Sequence, residues 1–220
     1  MGRTLLSPRE IENKDLHIGK ILIFCEGSTE ENYFDFFKKK IKDKFSNIVI
    51  ETQRVGSNAR AVLNYAEDFL SKDDNIYEYS TYEKYLAFDC DAPDDILKVI
   101  KDAKESDNNY ILLISSLLFE CWLVMHLEEV EARPLRKPEI SRILEKQLDL
   151  LDYEKHKDDE GIIAKIIKGD SNLKDAINNA KKLKRSYEQS GKDIEEIIKE
   201  KLPYSLMFDL VEQLAIAASK

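Results

Sequence analysis

The chain has 220 residues, of which 43% are hydrophobic, and a formal net charge of −9. This composition excludes a disordered chain, and the length allows one sizeable core, or one domain with an appendage. The longest apolar region, residues 110–127, is interrupted by Ser115, Glu120 and His126, so it is not a membrane span. The first fifteen residues lack the apolar core of a secretory signal. We therefore expect a cytoplasmic protein with no membrane partner.

Strand-like and helix-like patterns alternate through the first half of the chain. The continuous apolar run at 20–26 predicts a strand buried on both faces, and 29–44 predicts an amphipathic helix. The next predicted elements are strand 48–52, helix 58–70, strand 84–90, helix 93–104, strand 110–114 and helix 117–127. This succession indicates an α/β fold with a mostly parallel four-stranded sheet and helices on both faces.

The pattern changes after residue 130. A connection over 131–138 contains two prolines, and the segments that follow predict helices over 139–153, 161–168, 173–189 and 206–218. Strand signals are nearly absent there. We therefore predict an α/β domain over residues 1–130 and a helical extension over residues 131–220, packed on or beside it.

A carboxylate ends the first predicted strand. Glu26 is followed by Gly27 and by Ser28, which is expected to cap the next helix with Glu31 as its capping-box partner. Such a junction places a carboxylate beside free backbone N–H groups that can hold a phosphate oxygen, so Gly27 and Ser28 are candidate substrate contacts. The alternative is an ordinary turn whose glutamate faces solvent, and the turn alone favours that alternative.

Asp89 and Asp91 end the third predicted strand in the same way. Residues two apart in an extended chain point to the same side, so both carboxylates can converge on one cation while Cys90 points into the layer beneath. The alternative is an acidic helix start, which fits Asp89 poorly because it directly follows apolar strand residues. Ligands collect where parallel strands end, and clustered carboxylates repel one another without a cation. Glu26, Asp89 and Asp91 are therefore predicted to bind Mg²⁺ or Mn²⁺.

A lone glutamate at one strand end and an Asp-x-Asp at a later one form the pattern of Toprim domains. The reaction class that follows is metal-assisted phosphodiester cleavage, in which Glu26 either binds metal or moves a proton. Glu120 is a further catalytic candidate, although a first-turn glutamate satisfied by its helix dipole is an equal alternative. Arg54 and Arg60, after the second strand, are candidates for phosphate binding. A phosphatase of the haloacid dehalogenase type is a weaker rival, because its Asp-x-Asp pair follows the first strand.

Three segments resemble the RloB family, a Toprim-like group of prokaryotic defence proteins. They are ILIFCEGSTEENYF at 21–34, AFDCDAPDD at 87–95 and SSLLFECWLVMHL at 115–127, with a weaker fourth, PYSLMFDLVEQL, at 203–214. The resemblance implies a Toprim-like fold, a Mg²⁺-dependent nuclease activity in phage defence or abortive infection, and an ABC-type or AAA-like ATPase partner. It also implies metal or catalytic positions at Glu26, Asp89 and Asp91, with Glu120 as a further one. The chain departs from many relatives in having Cys90 between the aspartates instead of a basic residue, which removes a phosphate contact.

Several properties stay open at this point. The nucleic-acid substrate can be DNA or RNA, including tRNA, and the chain can be a monomer or a homo-oligomer. The acidic net charge argues against a broad phosphate-binding surface, but local cations and metal can still attract nucleic acid to one face. The main alternative to a nuclease is a non-catalytic adaptor that docks on an ATPase and transmits its state.

Overall fold

The strands form a single mixed sheet. The computed structural model describes residues 18–91 and 93–219, so the first fifteen residues, where no secretory signal is expected, lie outside the described residues. The strands within this part are β1 (Lys20–Cys25), β2 (Val49–Arg54), β3 (Glu83–Asp89), β4 (Ile111–Ser116) and β5 (Tyr204–Ser205). They follow the order β2-β1-β3-β4-β5, with the first four parallel and β5 antiparallel to β4. The predicted α/β class is confirmed.

The fifth strand corrects the predicted four-stranded sheet. Tyr204 and Ser205 pair with Ser116 and Ser115 at the carboxyl end of β4. The backbone N–H of Leu206 extends this pairing by donating to the carbonyl of the β4 residue before Ser115, at 3.0 Å. A two-residue strand is too short to show an alternating pattern, which explains why it was not predicted. The second half of the chain therefore supplies one edge of the sheet.

Helices connect the strands and continue after β4. They are α1 (Ser28–Ile41), α2 (Ala59–Leu70), α3 (Asp73–Glu78), α4 (Pro93–Glu105), α5 (Phe119–Met125), α6 (Lys137–Leu148), α7 (Glu160–Ile166), α8 (Asp170–Gln189), α9 (Ile194–Lys199) and α10 (Met207–Ser219), with a 3-10 turn at Tyr153–Lys155. The predicted helices are confirmed, with shifted ends. The six-residue helices α3 and α9 were not predicted, because they are too short for a clear helical periodicity. No helix in the described residues is long and apolar enough to cross a membrane.

Helices cover both faces of the sheet, as predicted. On one face, Leu22 of β1 packs in a core with Val62 of α2 and Val99 of α4. On the other face, Ile23 of β1 shares a core with α1 and with helices of the second half, including Leu214 of α10. All five side chains have 0% exposure. A strand covered on both faces needs apolar residues throughout, which accounts for the continuous apolar run in β1.

Candidate active site

The ends of β1 and β3 bring two carboxylates together. The backbone N–H of Glu26 donates to the carbonyl of Ala87 on β3 at 3.0 Å, so the chain stays attached to the neighbouring strand just beyond β1. The Glu26 carboxylate then accepts the backbone N–H of Asp89 through Oε2, at 3.2 Å. Because β1 and β3 are parallel neighbours, residues 63 positions apart in the sequence meet at one edge of the sheet.

The turn after β1 differs from the predicted capping box. Gly27 is the N-cap of α1, Ser28 is the first helical residue, and no side chain at the N-cap makes the capping bond. The hydroxyl of Ser28 instead donates a hydrogen bond to the carboxylate of Asp158. Glu30, rather than Glu31, turns back to the helix start, where the backbone N–H groups of Gly27 and of Glu30 itself lower its pKa against the larger effect of burial. The predicted pair of Ser28 and Glu31 was therefore wrong by one position.

Glu30 is a further candidate site residue, which the sequence patterns did not single out. It is buried, at 5% exposure, and lines the same cleft as Glu26, Asp89 and Glu120. A signal was present in the sequence, because Glu30 lies in the first helical turn after a strand that ends in Glu26. A first-turn side chain can reach back over the start of its helix. Four carboxyl groups, Glu26, Glu30, Asp89 and Glu120, therefore form one group, which we call the carboxylate cluster.

A cleft of about 630 Å³ contains the carboxylate cluster. Besides the four acids, its lining residues are Gly27, Ser28, Thr29, Arg54, Gly56, Ser57, Leu118, Phe119, Lys137, Glu154 and Lys157. The three cations of this lining are partly exposed, and each pairs with an acid outside the cluster. Arg54 lies 3.5 Å from Glu31, Lys137 lies 3.1 Å from Asp91, and Lys157 lies 3.0 Å from Glu154. The cleft is thus acidic at its base and carries basic side chains around it.

Burial raises the pKa of every carboxyl group in the cluster. It is the largest cause for Glu26, whose pKa rises to about 7, and for Glu30, whose pKa rises to about 8. The pKa of Asp89 is raised well above its usual value by burial and by the charges of Glu30, Glu120 and Glu26. Burial also raises the pKa of Glu120. The cluster therefore holds protons near neutral pH unless a cation takes their place.

One oxygen of Asp89 is available to a ligand. Its Oδ1 is buried and has no hydrogen-bond partner in the described part of the chain. A buried acceptor without a partner costs about 1–3 kcal/mol, and a carboxylate oxygen is the ligand type that hard divalent ions take. Within residues 18–91 and 93–219, however, no three His, Cys, Asp or Glu side chains form a group that could hold a metal ion as they stand. The donors fit Mg²⁺ or Mn²⁺ in their chemistry, and their arrangement would have to close further around the ion.

Asp91 lies at the edge of this arrangement. Cys90 packs into the core beneath α2 and α4, as predicted. The carboxylate of Asp91 is 43% exposed, pairs with Lys137 at 3.1 Å and does not line the cleft. Its charge nevertheless reaches the cluster, because it raises the pKa of Glu26. The structure thus joins Glu26 and Asp89 directly and leaves Asp91 outside.

The two predicted phosphate-binding arginines are in different places. Arg54, at the end of β2, lines the cleft. Arg60 does not line it, because its Nη1 donates to the Asp102 carboxylate at 2.6 Å, between α2 and α4. The first helical turn of α2 carries Arg60 away from the strand ends. The structure therefore places one of the two arginines beside the carboxylate cluster.

The fold and the cleft define an α/β protein with buried and half-buried carboxyl groups at the carboxyl edge of a mostly parallel sheet. The family model described as RloB-like protein matches residues 21–214. Because the match covers most of the chain and includes the whole carboxylate cluster, the chain belongs to the RloB-like family. Searches of curated proteins and of solved structures gave no match.

Proposed function

We propose that the chain is a metal-dependent nuclease of the Toprim type, which cleaves phosphodiester bonds in DNA or RNA. The observation that carries this proposal is the meeting of Glu26, Glu30, Asp89 and Glu120 in one cleft. Burying carboxylates close to one another is costly, so a cluster of four is explained better by a functional role than by stability. Divalent metal ions stabilise the attacking and leaving oxygens of phosphodiester hydrolysis, and carboxylates are the ligands that hold them.

The carboxyl groups of the cleft have two proposed roles, metal binding and proton transfer. Glu26 and Asp89 would hold a Mg²⁺ or Mn²⁺ ion, with Glu30 and Glu120 closing around it, and the ion would supply Lewis-acid chemistry at the phosphate. Glu26 has a second possible role, because a carboxylate with a pKa of about 7 can take a proton from an attacking water. Its Oε2 accepts the Asp89 N–H, which leaves Oε1 as the atom that would receive the proton.

The basic side chains beside the cluster would hold the nucleic acid. A chain with a net charge of −9 repels phosphate over most of its surface, so binding has to depend on local cations. Arg54 lies on the β2 side of the cleft, and Lys137 and Lys157 come from the second half of the chain. We propose that the phosphate backbone lies between these two groups, across the carboxylate cluster.

A cleavage assay tests the proposed activity. Wild type and Glu26→Gln would be incubated with labelled single-stranded DNA, duplex DNA and tRNA, with Mg²⁺ or Mn²⁺ and with chelator. We expect wild-type cleavage that needs the metal, and a loss of roughly 100-fold or more in Glu26→Gln. Glu105→Gln on α4 is the matched control, because it removes the same charge from an exposed position outside the cleft. Equal cleavage by wild type and Glu26→Gln would contradict the proposal.

We further propose that the nuclease acts in antiviral defence by abortive infection, with an ABC-type or AAA-like ATPase as its partner. Membership of the RloB-like family supports this setting. The competing role, a non-catalytic adaptor on the same ATPase, makes a different prediction for Glu26. If the chain is a nuclease, the Glu26→Gln variant no longer protects cells against phage, although it still purifies together with the ATPase. If the chain is an adaptor, the wild type and the Glu26→Gln variant protect cells against phage equally well.

A further inference from the structure

Lys137 stands where helix electrostatics disfavours a cation. It is the first residue of α6, and the partial positive charge of a helix N-terminus opposes an ammonium group. Its Nζ instead pairs with Oδ2 of Asp91 at 3.1 Å, across 46 positions of the sequence. The side chain also lines the cleft that contains the carboxylate cluster. The electrostatics of α6 therefore do not account for a lysine at this position, whereas its pairing with Asp91 and its place in the cleft do.

The same ammonium acts on the carboxylate cluster. Lys137 lines the same cleft as Glu26 and Glu120, so its positive charge faces two residues of the cluster. It therefore stabilises the charged forms of two cluster residues as well as that of Asp91. A divalent cation in the cleft would stabilise the same charged carboxylates, so Lys137 and a metal ion compete for the same negative charge.

We propose that Lys137 is a positioning residue that serves as an internal counter-ion, holding Asp91 outside the cleft until a divalent cation binds there. The inference rests on the proposed metal site. It explains why Asp91, two residues beyond Asp89, pairs with Lys137 and does not line the cleft. It also fits the absence, among the described residues, of a group of three side chains ready to hold a metal ion. When Asp91 leaves Lys137, the freed ammonium can pair with a phosphate of the substrate.

This role predicts the sign of a change in metal affinity. Removing the charge of Lys137 takes away both the competing cation and the partner that holds Asp91, so metal binding becomes tighter. If Lys137 only orients Asp91 as a metal ligand, the same change makes metal binding weaker. A cation in the first turn of α6 is unfavourable for the helix dipole, so removing it does not destabilise the helix. The Lys137→Met variant is therefore expected to fold.

The test is direct Mn²⁺ binding to the full chain, followed by the electron paramagnetic resonance of free Mn²⁺. We expect Lys137→Met to bind Mn²⁺ roughly five-fold or more tightly than wild type, and Lys137→Arg to bind like wild type. Lys146→Met is the matched control, because it removes the same charge from an exposed position of α6 outside the cleft and should leave the affinity unchanged. A second readout is a phosphorothioate oligonucleotide, which Lys137→Met should bind roughly ten-fold more weakly than wild type.

The outcomes separate the two proposals. Unchanged or weaker Mn²⁺ binding by Lys137→Met, with tight binding by wild type, overturns the counter-ion role and leaves the metal site intact. Failure of wild type to bind Mn²⁺ overturns the metal site, and the counter-ion role with it. Tighter binding by both Lys137→Met and Lys146→Met points to a general charge effect and also overturns the specific role of Lys137.

Discussion

Individual buried and partly buried carboxyl groups make the stability of this chain depend on pH. The folded-state pKa of Glu26 is about 7, above its ordinary value of 4.5. A raised folded-state pKa gives stability that is fully present below pH 4.5 and is lost as the pH rises through 7. Glu30, with a pKa of about 8, and Asp89 act in the same direction. Through these groups, the metal-free protein is therefore expected to lose stability between pH 5 and pH 8.

Removing the charge of Glu26 should prevent part of the loss of stability at higher pH. We expect Glu26→Gln to raise the free energy of unfolding by about 1–2 kcal/mol at pH 8 and to change it little at pH 5. The figure is reduced from the full pKa difference because Glu26 is only partly buried. Urea unfolding at both pH values, in the presence of chelator, measures the effect, and Glu105→Gln is the control. Destabilisation of Glu26→Gln at pH 8 would show that the charge of Glu26 is already compensated in the metal-free protein.

A buried histidine makes the stability depend on pH in the opposite direction. His126 can donate through Nδ1 to the carbonyl of Trp122 at 2.9 Å and accept from the Tyr33 hydroxyl through Nε2 at 3.1 Å. Burial lowers the pKa of His126 to about 4, so its stabilising contribution is present above pH 6.5 and is lost as the pH falls through 4. We expect Tyr33→Phe to cost about 1–2 kcal/mol at pH 7, because the ring nitrogen loses its donor. Urea unfolding measures this, and an unchanged stability would contradict the hydrogen bond.

At the scale of elements, the start of α1 positions one side of the cluster. Gly27 has φ −130°, which any residue can adopt, but a Cβ atom there would lie 2.9 Å from Oε2 of Glu30. We therefore expect Gly27→Ala to displace the flexible end of Glu30 while the fold remains. The metal-dependent cleavage rate should fall by about 10- to 100-fold, with less than about 1 kcal/mol lost in stability.

The N-cap of α8 provides a control for this substitution. Gly169 occupies the same helix position as Gly27, and a Cβ atom there would meet nothing within 4 Å. Gly169→Ala should therefore leave the cleavage rate unchanged. Wild-type activity in Gly27→Ala would mean that the position of Glu30 does not matter for the reaction.

The elements also decide how much of the site was predictable. Glu26 and Asp89 could be predicted because each follows or ends a parallel strand, and topology brings such ends together. The sequence could not distinguish a functional role for Glu30 from an ordinary interaction with the helix dipole, since either role explains a glutamate in the first helical turn equally well. Lys137 and Lys157 were missed because their place depends on how helices of the second half pack on the sheet. Hydrophobic periodicity identifies such helices but does not fix their packing.

At the scale of the whole molecule, one core crosses the predicted boundary at residue 130. Leu144 of α6 and Leu214 of α10 pack in the same core as Ile23 of β1. A chain that ends after residue 130 would keep only α1 and α5 on this face of the sheet and expose the rest of the core, so we expect it to lose cooperative unfolding and near-ultraviolet circular dichroism. Urea unfolding of the two chains measures this. A cooperative transition in the shortened chain would mean that residues 1–130 fold as an independent domain.

The central claim is that Glu26 and Asp89 hold a divalent ion at the carboxyl edge of the sheet. A crystal of the full chain soaked in Mn²⁺ tests this most directly, through the anomalous scattering of manganese. We predict a peak within about 2–2.5 Å of a carboxylate oxygen of each residue. A map from Mn²⁺-saturated crystals with no peak near either carboxylate would contradict the account.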